Sequence, residues 1–167
     1  MADLTAVLAA NRAAVDDMIA TAMRAESNWT TPRAPGKWSP SQVVEHVARA
    51  LDESANTVSG RPDKFPSIPA PFRPLVRGLL FNRVVRKGTF PKAKTNKAMD
   101  PERGPATPIE ARTRLDAALA SFDQACRARS ATTPTMQSRV FGTVSLADYA
   151  RFQEVHTRHH TKQIPVA

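Results

Sequence analysis

The sequence predicts an all-α protein: a four-helix bundle with a long crossover between helices 2 and 3. Three observations carry this. Apolar residues recur at helical spacing over four long stretches. Helix start signals, Ser39-Pro40, Thr107-Pro108 and Ser145, stand directly before three of them. No segment shows strand-like alternation of useful length. The 167 residues suit one domain, 1–167, long enough to bury a real core.

The first helix is expected from about Asp3 to Arg24, with Leu4, Val7, Leu8, Val15, Met18, Ile19 and Ala22 on its apolar side. Thr30 to Gly36, with Pro32, Pro35 and Gly36, cannot continue it. The second helix starts at Ser39: serine caps, Pro40 takes the first helical position, and Gln42 completes a Ser-x-x-Gln capping box. Val43, Val44, Val47, Ala50 and Leu51 form its stripe. His46 falls on the flank of that stripe, a partly buried position, and Trp38 just outside the cap reads as a hydrophobic staple.

Gly60 to Pro108 changes character, gathering most of the fourteen prolines and a concentration of Lys and Arg. This is the crossover. Within it, Pro74 to Val85 forms a short amphipathic helix with Arg77 and Arg83 on its basic side, and Arg86-Lys87-Gly88 and Pro91-Lys92-Ala93-Lys94 read as exposed loop. The third long helix follows Thr107, with Ile109, Leu115, Ala118, Leu119, Phe122 and Cys126 as its core face. Ser130 to Pro134 ends it. Val140 to Ser145 leads into the last helix, capped by Ser145. On that helix Leu146, Tyr149, Phe152, His156, His160 and Ile164 gather on one side; Ala147, Arg151, Glu154, Arg158 and Thr161 fall opposite.

The formal charge of +9, from 24 Lys and Arg against 15 Asp and Glu, raises nucleic-acid binding. An aromatic content of 6% offers few stacking platforms and no nucleic-acid motif is present, so a solvated basic surface is the reading adopted. A single cysteine, Cys126, makes no intrachain disulfide, and it reads as a packing residue. Met1-Ala2-Asp3-Leu4 lacks the basic start of a secretory signal, and no run approaches the ~18 apolar residues of a membrane span. A cytoplasmic protein without a membrane partner is expected.

Three of the four histidines, His156, His159 and His160, crowd the end of the chain. Residues four apart on a helix are neighbours, so His156 and His160 supply two ligands to one ion. The third is His46, projecting from a facing helix of the bundle. Imidazole suits Zn, Ni, Cu and Fe alike, and three protein ligands leave a position open for water or a thiol. His159 falls on the flank, as a rim residue. The alternative is three buried histidines without an ion.

Trp38-Ser39-Pro40-x-Gln42-x-x-x-His46, with His156-x-x-His159-His160-x-x-Gln163-Ile164 and a Phe141-Gly142-x-x-Ser145 lead, resembles the DinB-like superfamily of four-helix metal-binding proteins. The resemblance runs from the first helix to Ile164. It implies His46, His156 and His160 as the metal triad, Gln163 as a recurrent polar residue, and a divalent metal, zinc or nickel first, as cofactor. It also implies relatives that are thiol-dependent transferases and isomerases using mycothiol or bacillithiol, or metal-dependent hydrolases.

The leading functional expectation is therefore a metal-dependent enzyme, a thiol-dependent S-transferase acting on a small-molecule substrate. Glu53, seven residues after His46, is the candidate general base; Gln153 and Tyr149 are candidate pocket residues, and Arg77 a partner for a substrate carboxylate. A non-catalytic metal-binding stress or ligand-sensing protein is the alternative. A homodimer is compatible with either.

Overall fold

Each long helix begins where its start signal stands. In the computed structural model, which describes residues 3–91 and 95–165, α1 spans Leu4–Arg24 and Asp3 accepts from the Thr5 N–H at 3.0 Å. α2 spans Pro40–Val58 with both halves of the capping box made: Ser39 Oγ accepts from the Gln42 N–H, and Gln42 Oε1 from the Ser39 N–H. Thr107 caps α5 (Pro108–Ser130), and Ser145 caps α6 (Leu146–Thr161). These polar caps satisfy amide protons that the first helical turn leaves free.

Between α2 and α5 lies a helical run: a 3-10 turn at Ala70–Phe72, α3 (Arg73–Val76), a π turn at Arg77–Phe81 and α4 (Asn82–Lys87), closed by Gly88 at φ +63°. The expected helix at Pro74 to Val85 lies inside this run. The predicted loop residues Lys92, Ala93 and Lys94 lie outside the described residues, as do Met1-Ala2 and Val166-Ala167.

The all-α bundle is formed by α1 against α5 and α6, and by α2 against α5 and, more lightly, α6. Val15 and Met18 of α1, Val44, Val47 and Leu51 of α2, Leu115 and Phe122 of α5, and Leu146 and Ala150 of α6 are buried at the centre. Burial of each larger side chain contributes about 1.5–3 kcal/mol. The segment after residue 95 returns over the start of α2: the Pro105 carbonyl accepts from Trp29 Nε1 at 2.8 Å and from Ser41 Oγ at 2.7 Å. Gly104 permits this approach, because a β-carbon there would fall onto the Ser41 carbonyl.

Four expectations are corrected. A small antiparallel hairpin, β1 (Thr135–Ser138) and β2 (Gly142–Ser145), stands where no strand was expected. Strands this short carry too little alternation to register. Their loop is fixed instead by Gly142 at φ +73° and by Ser138 Oγ, which accepts from the Val140 and Phe141 N–H groups. Ile109, assigned to the core face of α5, is 69% exposed, since it sits six residues from Leu115 and so off that face. Glu154, placed on the outer side of α6, is 3% exposed. α1 covers that side: Asn11 Nδ2 donates to the Ala150 carbonyl at 2.9 Å, and Arg158 reaches Asp17 of α1 at 3.0 Å. Finally, His46 is fully rather than partly buried, because Trp38 and Met99 close over the flank of α2.

Candidate metal centre

The Ser39 capping box fixes where α2 begins and therefore where His46, one face along it, emerges. The Ser145 cap does the same for His156 and His160, four residues apart on α6. α2 and α6 face each other, and the three imidazoles meet. Ring centres lie 5.2 Å apart for His46 and His156, 4.5 Å for His46 and His160, and 4.5 Å for His156 and His160. One nitrogen from each falls within 4.8 Å of the other two.

Hydrogen bonds decide which nitrogens are available. His46 Nδ1 lies 2.8 Å from the Met99 carbonyl, an acceptor only, so Nδ1 carries the proton and Nε2 is a bare lone pair. Gln163 does the same for α6. Its amide N–H₂ donates to His159 Nε2 at 3.1 Å, which turns its Oε1 toward His160 Nδ1 at 3.2 Å, and that nitrogen donates. Carbonyl oxygens behind ligating histidines fix ring orientation and tautomer in metal sites. His46 Nε2 then stands 3.3 Å from His156 Nε2. Two nitrogens bound to one tetrahedral ion at about 2.05 Å stand about 3.3–3.4 Å apart, so the spacing fits a shared ion.

Electrostatics agree. Burial lowers the pKa of His46; it lowers that of His156 well below the ordinary value, helped by His160 and His46; and it lowers that of His160 to about 3, helped by His46 and His159. All three are neutral at pH 7 and present lone pairs rather than charges. His159, half-buried at the rim, is lowered by burial and by Lys162. Among the described residues no carboxylate or thiol joins the three as a fourth ligand.

Two aromatic rings cover the cluster. Trp38, read from sequence as a staple, lies 4.7 Å from His46 and 6.1 Å from His160, with its indole N–H donating to Asp100 at 3.0 Å. Phe90 packs at 5.3 Å on His156 and 5.8 Å on His159. It also ends a chain of rings through Phe152, Phe81 and Phe141. Beside Phe90 a cavity of about 390 Å³ is lined by Asp17, Arg158, His159 and Lys162. Met99 and Asp100 leave no signal in the sequence, because residues between the long helices carry no periodicity. Phe90, a lone aromatic in a polar loop, was the only available hint.

Glu53 is buried, but its Oε2 accepts from the Lys64 and Asn56 N–H groups and its Oε1 lies 3.8 Å from Lys64 Nζ, so it tethers the segment that follows α2. Tyr149 is buried, its O–H donating to Ser54 Oγ at 3.2 Å, and burial pushes its pKa up to about 12. Gln153 is buried one turn before His156. Arg77 donates to the Thr143 carbonyl of the hairpin at 2.8 Å.

A family model described as DinB superfamily matches residues 3–164, and the chain belongs to that superfamily. No curated protein and no solved structure compared with the chain matches it.

Proposed function

We propose that this member of the DinB superfamily is a divalent-metal-dependent enzyme in which His46, His156 and His160 hold the ion, zinc or nickel, and a low-molecular-weight thiol of the mycothiol or bacillithiol type is the cosubstrate. The observation that carries this reading is the convergence of three neutral imidazoles within 4.8 Å, two of them already committed through Nδ1 to carbonyl oxygens. When bound, such an ion offers an open position at which a thiol is held as thiolate near neutral pH.

The chain's own residues orient and shield. Met99 and Gln163 lock two rings in the ligating tautomer. Trp38 and Phe90 keep bulk water from the imidazoles, and Asp100 holds the Trp38 ring in place. The cavity beside Phe90 receives the body of the electrophile, with Lys162 and Arg158 at its wall for an anionic group. Glu53, whose oxygens are engaged by Lys64 and Asn56, serves the crossover rather than proton transfer.

The test is metal content by elemental analysis, before and after incubation with Zn and Ni, for the wild type and a His46→Ala/His156→Ala variant, followed by thiol consumption with a chromogenic electrophile. About one ion per chain in the wild type, none in the variant, and metal-dependent thiol consumption is the expected result. A wild type that takes up no ion under any of these conditions refutes the reading. A second reading, a non-catalytic metal-binding protein, draws on the 4% and 8% exposure of His46 and His160, which suits a closed site. Stoichiometric metal with no thiol turnover is its signature.

A further inference from the structure

The charge of this protein is not spread over it. Residues 64–99 hold nine of the 24 Lys and Arg and none of the 15 Asp and Glu, so the whole formal excess of +9 resides in that one segment and the rest of the chain is balanced. The same segment contains the helical run of residues 70–87. Its inner side is anchored: Phe81 and Val84 are buried, and Val76, Leu80 and Val85 pack on the core. Its outer side is unusual for a solvated helix. Phe72, Leu75 and Leu79, at i, i+3 and i+7, are 59%, 60% and 68% exposed. Arg83, Arg86 and Lys87 follow on the next turns and are exposed too. Among the described residues none of Arg73, Arg77, Arg83, Arg86 and Lys87 forms an ion pair.

We infer that this run is a docking element for an anionic lipid surface, on which Phe72, Leu75 and Leu79 enter the headgroup boundary while Arg83, Arg86 and Lys87 meet lipid phosphates. A helix lying in the interface needs bulky apolar residues on the side it presents and cations beside them, and it needs no membrane-spanning length. Charge complementarity selects this occupant. A second copy of the chain would bring Arg83, Arg86 and Lys87 against their own like charges. A nucleic acid would satisfy the cations but leave two leucines without a partner, since its affinity comes from phosphates and from stacking on rings. A lipid surface satisfies both features together. The run ends at Gly88, two residues before Phe90, which packs on His156, so the docking element is joined through a short loop to the cover of the histidine cluster.

The experiment is vesicle co-sedimentation of the full chain with phosphatidylcholine alone and with phosphatidylcholine carrying roughly a third phosphatidylglycerol, at low and high salt. Binding to the anionic vesicles only, weakened by salt, is expected. Each cation near such a surface is worth about fivefold in affinity, so Arg83→Gln/Arg86→Gln/Lys87→Gln is expected to weaken binding about a hundredfold. Phe72→Ser/Leu75→Ser/Leu79→Ser is expected to weaken it at least about tenfold. Both sets of side chains point to solvent, so circular dichroism, melting temperature and metal content should match the wild type. Failure of the wild type to bind anionic vesicles overturns the inference, as does a serine variant that binds like the wild type. An oligonucleotide that binds through the same arginines, with vesicles unable to compete, overturns it in favour of nucleic acid. A wild-type dimer that the serine variant converts to monomer, without vesicle binding, overturns it in favour of a second copy.

Discussion

Replacing Gln163 by leucine isolates a part of the candidate metal centre that would not touch an ion held by the three histidines. Gln163 bridges two histidines, accepting from His160 Nδ1 at 3.2 Å and donating to His159 Nε2 at 3.1 Å. Leucine keeps the volume and removes both contacts. His160 is then free to move its proton to Nε2, the nitrogen that faces the cluster, and in that tautomer it cannot ligate. The lost hydrogen bond alone is worth about 1 kcal/mol, roughly a fivefold effect. Loss of ring orientation adds to it, and groups behind metal ligands are worth about 10–100-fold in affinity. The expected outcome is a zinc affinity lowered by that factor, or about 1.4–2.7 kcal/mol. The assay is competition with a chromophoric chelator at pH 7. Metal-free stability, followed by urea, is expected to change by less than about 1 kcal/mol, because Gln163 is only half-buried. An affinity within about threefold of wild type would refute the assignment of Gln163 as the group that sets the tautomer of His160. An equal loss of metal-free stability would show instead that its role is structural.

Three other outcomes follow from the burial and charge of single side chains. His160 has a folded pKa of about 3 against 6.5 when unfolded, so the unfolded chain takes up the proton first and the metal-free protein loses stability as pH falls from about 6.5 toward 3. Between pH 6.5 and 5 that is about 2 kcal/mol from His160 alone, with His46 and His156 acting in the same direction; urea midpoints across this range check it. Cys126 is fully buried and its thiol is pushed up to about 12 by burial, so a thiol-specific chromogenic reagent should label it only at the rate of unfolding. Glu154→Gln removes a buried carboxylate held by Arg151 and by Arg158 at 2.7 Å; since both arginines are more than a third exposed, the cost is expected near 2 kcal/mol rather than the larger figure for a fully enclosed pair, measured by urea unfolding.

The sequence by itself determined the helices and singled out the three histidines that the fold brings together. Ser39, Thr107 and Ser145 mark helix starts because a capping side chain acts within three residues of itself. The His156 and His160 pair was legible because their neighbourhood is also local, one helical turn. His46 needed one further step, the bundle, and its pairing with the other two came through the spacing of Trp38, Ser39 and His46 as well as through the fold. What was lost is what depends on which element lies across from which. Glu154 was misplaced because a helical wheel ranks one face and knows nothing of α1 lying over the other side of α6, whereas Ile109, six residues from Leu115, lies off the core face of α5 on the wheel itself. The hairpin was missed because four-residue strands are stabilised by Met136, Phe141 and Val144 packing into the core, a contact absent from local pattern.

The chemistry of the centre was decided in three dimensions. Sequence supplied three imidazoles; only the fold brought the Met99 carbonyl, 53 residues from His46, to its Nδ1, and laid Trp38 and Phe90 over the rings. Local periodicity sets which side chains share a face, because helix geometry is the same everywhere. Tautomer, burial and access are set by groups distant along the chain, and those meet only when the bundle closes.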